Sequence, residues 1–195
     1  MPDQIRDGTG DGYLAKVDST NRLRSRAVES SEEHAANLLG NAYNLNTGSI
    51  TLTSAADTPV AYLKNNETTN LIVTAMAVGV NHSTGGSATD MAFITVVRNP
   101  TAGTTISNAN AGAINSNRNY SSSNTLTADW YKGATGETMT DGDDHILFYH
   151  SDGNRLFATI EEVLPQGATL GIKIEPPASN TSMEVYVALI CHLES

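Results

Sequence analysis

PVAYLKNNETTNLIVTAMAVGV, residues 59–80, decides how this chain folds. Two apolar runs flank the polar string 65–70, NNETTN. Each run is too short and too rich in Val, Ile and Tyr to favour a helix, and the Asn and Thr between them are turn formers, so the stretch predicts a β-hairpin. In the second run Leu71, Val73, Ala75 and Ala77 alternate with Ile72, Met76 and Val78, which makes both faces apolar. Such a strand is expected where protein lies above and below it. A sandwich of sheets follows.

The text downstream repeats the strand-and-turn rhythm. Alternating or apolar runs at 49–53, 91–97, 145–149, 155–160, 168–175 and 183–193 are separated by Gly-, Asn- and Pro-bearing connections. In the last of them Met183, Val185, Val187, Leu189, Cys191 and Leu193 share one face, with Glu184, Tyr186, His192 and Glu194 on the other. Residues 107–124 are crowded with Asn and Ser and predict a long ordered loop anchored by Ile114 and Tyr120. With about eight to ten short strands and no helical periodicity after Gly40, the fold class is an all-β, antiparallel sandwich of jelly-roll type.

Upstream the pattern changes. Residues 1–12 hold Gly8, Gly10 and Gly12 and one strong apolar side chain, Ile5, so they bury too little surface to fold alone. Tyr13 and Leu14 open a short apolar hook, and Arg22, Arg24 and Arg26 fall on one face if the chain is extended. Ser30 and Glu33 fit a capping box, Ala35, Ala36, Leu38 and Leu39 follow, and Gly40 supplies a left-handed stop, which predicts a helix over about 31–39. Two turns are marginal in isolation, so this helix is expected to dock on the body or on a neighbouring subunit. The expected division is 1–42 as arm and short helix and 43–195 as the sandwich domain.

Charge and composition narrow the functions. In 195 residues, 11 Lys and Arg stand against 21 Asp and Glu, a formal net charge of -10. Nucleic acid is disfavoured as a ligand because phosphate binding needs clustered cations. No run reaches the length of a membrane span and the start lacks a signal-peptide core, so the expectation is synthesis in a cytoplasm and no membrane partner. The single Cys191 makes no intrachain disulfide and reads as a small buried thiol.

Chemistry is sparse. There is no nucleophile elbow, phosphate loop, Cys-x-x-Cys or His-Glu-x-x-His, and the expectation is a non-enzyme with no cofactor and no metal. Asp141, Asp143, Asp144 and His145 are the densest potential ligands and read as a solvated acidic turn, since no bidentate Glu stands at the EF-hand position. Glu161 and Glu162 are adjacent on a strand and so point to opposite faces, which prevents them from flanking one glycosidic bond. Trp130 and Tyr131 offer a sugar-stacking platform, against the plainer reading of Trp130 as core.

Residues 7–18, DGTGDGYLAKVD, with NRL at 21–23, YLKNN at 62–66, VRNPTAG at 97–103 and LTAD at 126–129, resemble a family of small virion structural proteins of tailed bacteriophages. The resemblance implies a capsid decoration or cement protein: a jelly-roll body, often trimeric, outside the shell, with an N-terminal arm running along the major capsid protein. On that expectation the arm contacts are Tyr13, Leu14, Arg22, Arg24 and Arg26, and the protein resides on the capsid surface of the virion. The alternative is a glycan- or receptor-binding domain of a head or tail fibre, using the Asn- and Ser-rich loop near Tyr120 and Trp130.

Overall fold

The computed structural model describes residues 31–81, 91–102, 114–151 and 155–194. One short helix, α1 (Glu32–Leu38), precedes β1 (Ala42–Asn46), β2 (Ile50–Leu52), β3 (Thr58–Asn65), β4 (Leu71–Val80) and β5 (Met91–Arg98). Then come β6 (Thr101–Ala102), β7 (Ile114–Asn117), β8 (Ala128–Lys132) and β9 (Met139–Thr140). The chain ends on β10 (Asp143–Ser151), β11 (Arg155–Leu164), β12 (Thr169–Glu175) and β13 (Met183–Leu193). Packing groups Glu32–Ser195 into one compact unit, so α1 folds with the strands, against β1 and β13.

Two antiparallel sheets face each other. One has the order β11-β4-β13-β1-β7, with β2 alongside β13, and the other β10-β5-β12-β3-β8. Without β2 and β6 to β9, the chain visits the two layers as β1, then β3, back to β4, across to β5 and β10, back to β11, across to β12, back to β13. That itinerary, with strand orders β1-β13-β4-β11 and β3-β12-β5-β10, is the jelly roll. The inner faces merge into a single apolar core that includes Leu45, Leu63, Met76, Ile94, Ile172 and Leu189. The even spacing along β13 is realised as expected: Met183, Val185, Val187, Leu189 and Cys191 are all buried in it.

Residues 59–80 form two strands but not a hairpin. β3 is laddered to β12 and β8, whereas β4 is laddered to β13 and β11 in the opposite sheet. Turn chemistry marks a change of direction without saying whether the chain returns beside itself or crosses a core. Here buried Asn65 settles the route. Its Nδ2 donates to Thr69 O at 2.9 Å and to Leu164 O at 2.8 Å, and its Oδ1 accepts from Glu67 N at 2.9 Å, which pins the corner to the end of β11.

The region between β5 and β10 is an insertion that seals one side of the sandwich. β7 adds to the free edge of β1 and β8 to the free edge of β3, so each sheet is extended on the same side. Trp130, on β8, fills the gap between them and is buried with Leu126. The expected loop over 107–124 is therefore partly strand. Tyr120, expected as an anchor, is instead fully exposed at 103%.

Candidate docking surface

The first surface grows from the end of α1. Gly40, at φ 75°, terminates the helix: its N donates to Asn37 O at 3.0 Å, and Asn41 N donates to Ala36 O at 2.7 Å. This is a Schellman-like stop of the kind the sequence predicts. Helix ends leave carbonyls without partners, and here the Asn-rich segment supplies donors. Asn119 Nδ2 reaches Leu38 O at 3.1 Å, Asn124 Nδ2 reaches Leu39 O at 3.3 Å, and Asn117 Nδ2 reaches Gly40 O at 2.7 Å. Ser30 of the expected capping box lies outside the described residues, while Glu33 pairs with Arg118 Nη1 and ties the start of the helix to the same segment.

The consequence is a knuckle of apolar side chains on a braced backbone. Leu38 and Leu39 are 67% and 63% exposed, and the fully exposed Tyr120 follows directly on Asn119, whose side chain bonds the Leu38 carbonyl. An apolar cluster held outward by amide-to-carbonyl bonds has little freedom to fold under, which is the property of a contact surface.

The second surface is the side of the sandwich opposite the insertion, where β10 and β11 end the two sheets. His145 Nε2 lies 3.1 Å from Glu162 Oε1, a bridge between the sheets at one end of that opening. Behind it is a cavity of about 220 Å³ lined by residues that include Val96, Arg98, Leu164 and Leu170. On the outer side of the β10 sheet, Lys173 Nζ lies 3.1 Å from Asp57 Oδ2 and 3.0 Å from Asp144 Oδ1. Burial pulls the Lys173 pKa down, but the hydrogen bonds and charges of Asp144 and Asp57 outweigh it and the net shift is upward.

No family model and no curated protein matches this chain.

The residues singled out from sequence are dispersed. Tyr13, Leu14, Arg22, Arg24 and Arg26 lie outside the described residues. Asp144 and His145 are engaged with Lys173 and Glu162, and among the described residues no group of three or more His, Cys, Asp or Glu side chains converges. Glu161 faces outward at φ 50° in a bulge of β11 and Glu162 faces the sheet opposite, so the pair is split across two faces. Trp130 is no sugar platform: it is 6% exposed, and Tyr131 stacks on Tyr62 with ring centroids 5.7 Å apart. Sequence reasoning expected the helix that carries Leu38 and Leu39 to dock on the body or on a neighbouring subunit, without singling out either leucine as exposed. In a helix of seven residues only Ala36 is buried, and a Leu-Leu-Gly ending leaves both leucines past the packed turn.

Proposed function

We propose that this chain is a non-enzymatic structural protein of a bacteriophage virion, a decoration or cement subunit that docks on the assembled capsid and stabilises it. The reading is supported by the braced apolar knuckle of Leu38, Leu39 and Tyr120 on a jelly-roll body, immediately after the leading residues 1–31 in the chain. The acidic balance, a net charge of -10, suits a partner that presents cations or backbone amides rather than phosphates. The mechanism is linkage. A subunit that binds only the assembled shell stabilises that state by mass action, and many symmetric copies multiply a modest contact energy.

Co-sedimentation with capsids of the parent phage tests this. Deleting residues 1–26 is expected to abolish binding while the sandwich keeps its far-ultraviolet circular dichroism, and replacing Leu38, Leu39 and Tyr120 by Ser is expected to weaken binding at least tenfold. Capsid binding unchanged in both variants overturns the proposal.

A further inference from the structure

We propose that the cavity behind the His145 to Glu162 bridge is a binding site for a small monocarboxylate with an apolar body, a molecule the size of benzoate or hexanoate. The inference concerns the sandwich alone and stands apart from the virion reading.

The cavity lies where the two sheets come together at the ends of their strands. Its apolar wall is Val96 on β5, Leu164 at the end of β11 and Leu170 on β12, with Pro165 and Ala168 from the turn that carries the chain from one sheet to the other. Val96, Leu164 and Leu170 are buried members of the core. The volume is about 220 Å³. An apolar cavity of about 150 Å³ already holds a benzene ring, so this one takes a ring or a chain of about six carbons and leaves room for a polar head.

The mouth is polar, and most of its groups are already engaged. His145 Nε2 lies 3.1 Å from Glu162 Oε1, Asn99 N donates to Thr169 O at 2.9 Å, and Thr169 Oγ1 donates to Pro100 O at 2.6 Å. Arg98 is the exception. It continues the inward row of Ile94 and Val96, opposite Leu170 in the ladder, so its side chain leaves β5 on the cavity side. Among the described residues no carboxylate lies within ion-pair distance of its guanidinium, Asp143 across the ladder included. A planar fork of five N–H donors is therefore left for a ligand.

That fork selects the head group. A cation is repelled by it and a neutral molecule leaves its charge to water, whereas a carboxylate accepts two parallel N–H bonds from a guanidinium. Glu162 is the one carboxylate among the lining residues and opposes an anion, but its Oε1 is taken up by His145. An exposed guanidinium holds a carboxylate only weakly by itself, so the apolar wall must supply the rest of the affinity. Since the walls come from both sheets, a bound molecule bridges β11 to β5 and β12 and stabilises the fold by linkage.

Titration of the full chain with sodium benzoate and sodium hexanoate at constant ionic strength, followed by methyl nuclear magnetic resonance and by melting temperature, tests this. Saturable shifts of the Val96, Leu164 and Leu170 methyls are expected, with a dissociation constant of about 1 mM or tighter. At ten times that concentration the melting temperature should rise by about 3–6 °C. Acetate, which lacks the body, and benzyl alcohol, which lacks the charge, are expected to bind at least tenfold more weakly than benzoate. R98Q is expected to weaken benzoate at least tenfold and E162Q to tighten it, both with the wild-type circular dichroism. The proposal is overturned if neither benzoate nor hexanoate shifts those methyls saturably, if benzyl alcohol binds as tightly as benzoate, or if R98Q binds like wild type. Weaker binding by E162Q would mean that the ligand donates to Glu162, and equally overturns the carboxylate assignment.

Discussion

The indole Nε1 of Trp130 donates to the carbonyl of Asn46 at 3.2 Å, joining β8 of one sheet to the end of β1 in the other. The bond lies on the side of the sandwich that the insertion closes, so one side chain both fills the gap between layers and fixes their offset. W130F keeps much of the volume and strands the Asn46 carbonyl, and a loss of about 1 kcal/mol is expected in urea unfolding. W130A also leaves a cavity and should lose about 3–5 kcal/mol. Equal losses in the two variants contradict the role of the aromatic plug.

Two glycines are held by close approach, with different expected tolerances. A Cβ on Gly133 would sit 1.7 Å from Pro59 O, a backbone atom in the adjacent strand, and Gly133 N also donates to Val60 O at 3.1 Å. A Cβ on Gly79 would meet the ring of Tyr186 at 1.9 Å, and that ring can swing away at the expense of the Tyr186 OH to Arg155 Nε contact at 2.9 Å. G133A is therefore expected to destabilise by roughly 2–4 kcal/mol and G79A by about 1 kcal/mol. The melting temperatures of the two variants give the order directly.

Asn65 tests the corner between the sheets. In N65D a carboxylate replaces an amide that donates to two carbonyls, Thr69 O and Leu164 O, inside a buried site. The expected loss at pH 7 is about 3 kcal/mol or more. Burial beside the Thr69 and Leu164 carbonyls, with Glu67 N the one donor shown at the side chain, raises the new carboxyl's folded pKa above its unfolded value, so the deficit relative to wild type should shrink as pH falls toward about 4. A deficit independent of pH would show that the lost amide bonds alone account for it.

Cys191 is buried in the core with its thiol directed to Tyr43 O at 3.7 Å, and burial pushes its pKa from 9.0 to about 12, with Arg118 opposing. The folded pKa is raised, so the stabilisation is complete below the unfolded value and is lost as pH climbs toward the folded one. Between pH 9 and pH 10 unfolding free energy is expected to fall by up to ~1.4 kcal/mol more in wild type than in C191A. Iodoacetamide should label the native protein no faster than it unfolds. Labelling at the rate of a free thiol would place Cys191 at the surface.

Local pattern carried most of the architecture. The period-two rows of β13 and the doubly apolar β4 could be read directly, because alternation reports how many faces a strand buries, and Gly40 at the end of α1 reports a left-handed stop. The same rule applied to residues 146–149, ILFY, and 156–160, LFATI, marks both faces of β10 and β11 as apolar. The structure leaves them partly exposed instead, at the open edge. The exposure of Leu38 and Leu39 was harder to see because nothing near them in the sequence shows that Asn117, Asn119 and Asn124 hold the helix end in place.

By itself, then, the sequence determined the all-β class, a short leading helix, the inward rows and the acidic surface, each of which follows from composition and neighbours within a few residues. Tertiary structure alone decided that β3 and β4 part into opposite sheets, that the insertion extends both sheets on one side and that, among the described strands, β10 and β11 are outermost on the other. Such choices are made between ladders of similar local energy, and they are settled by long-range pairings such as β4 with β13 and by single buried groups such as Asn65 and Trp130. Spacing along the chain does not encode which distant edge a strand will meet.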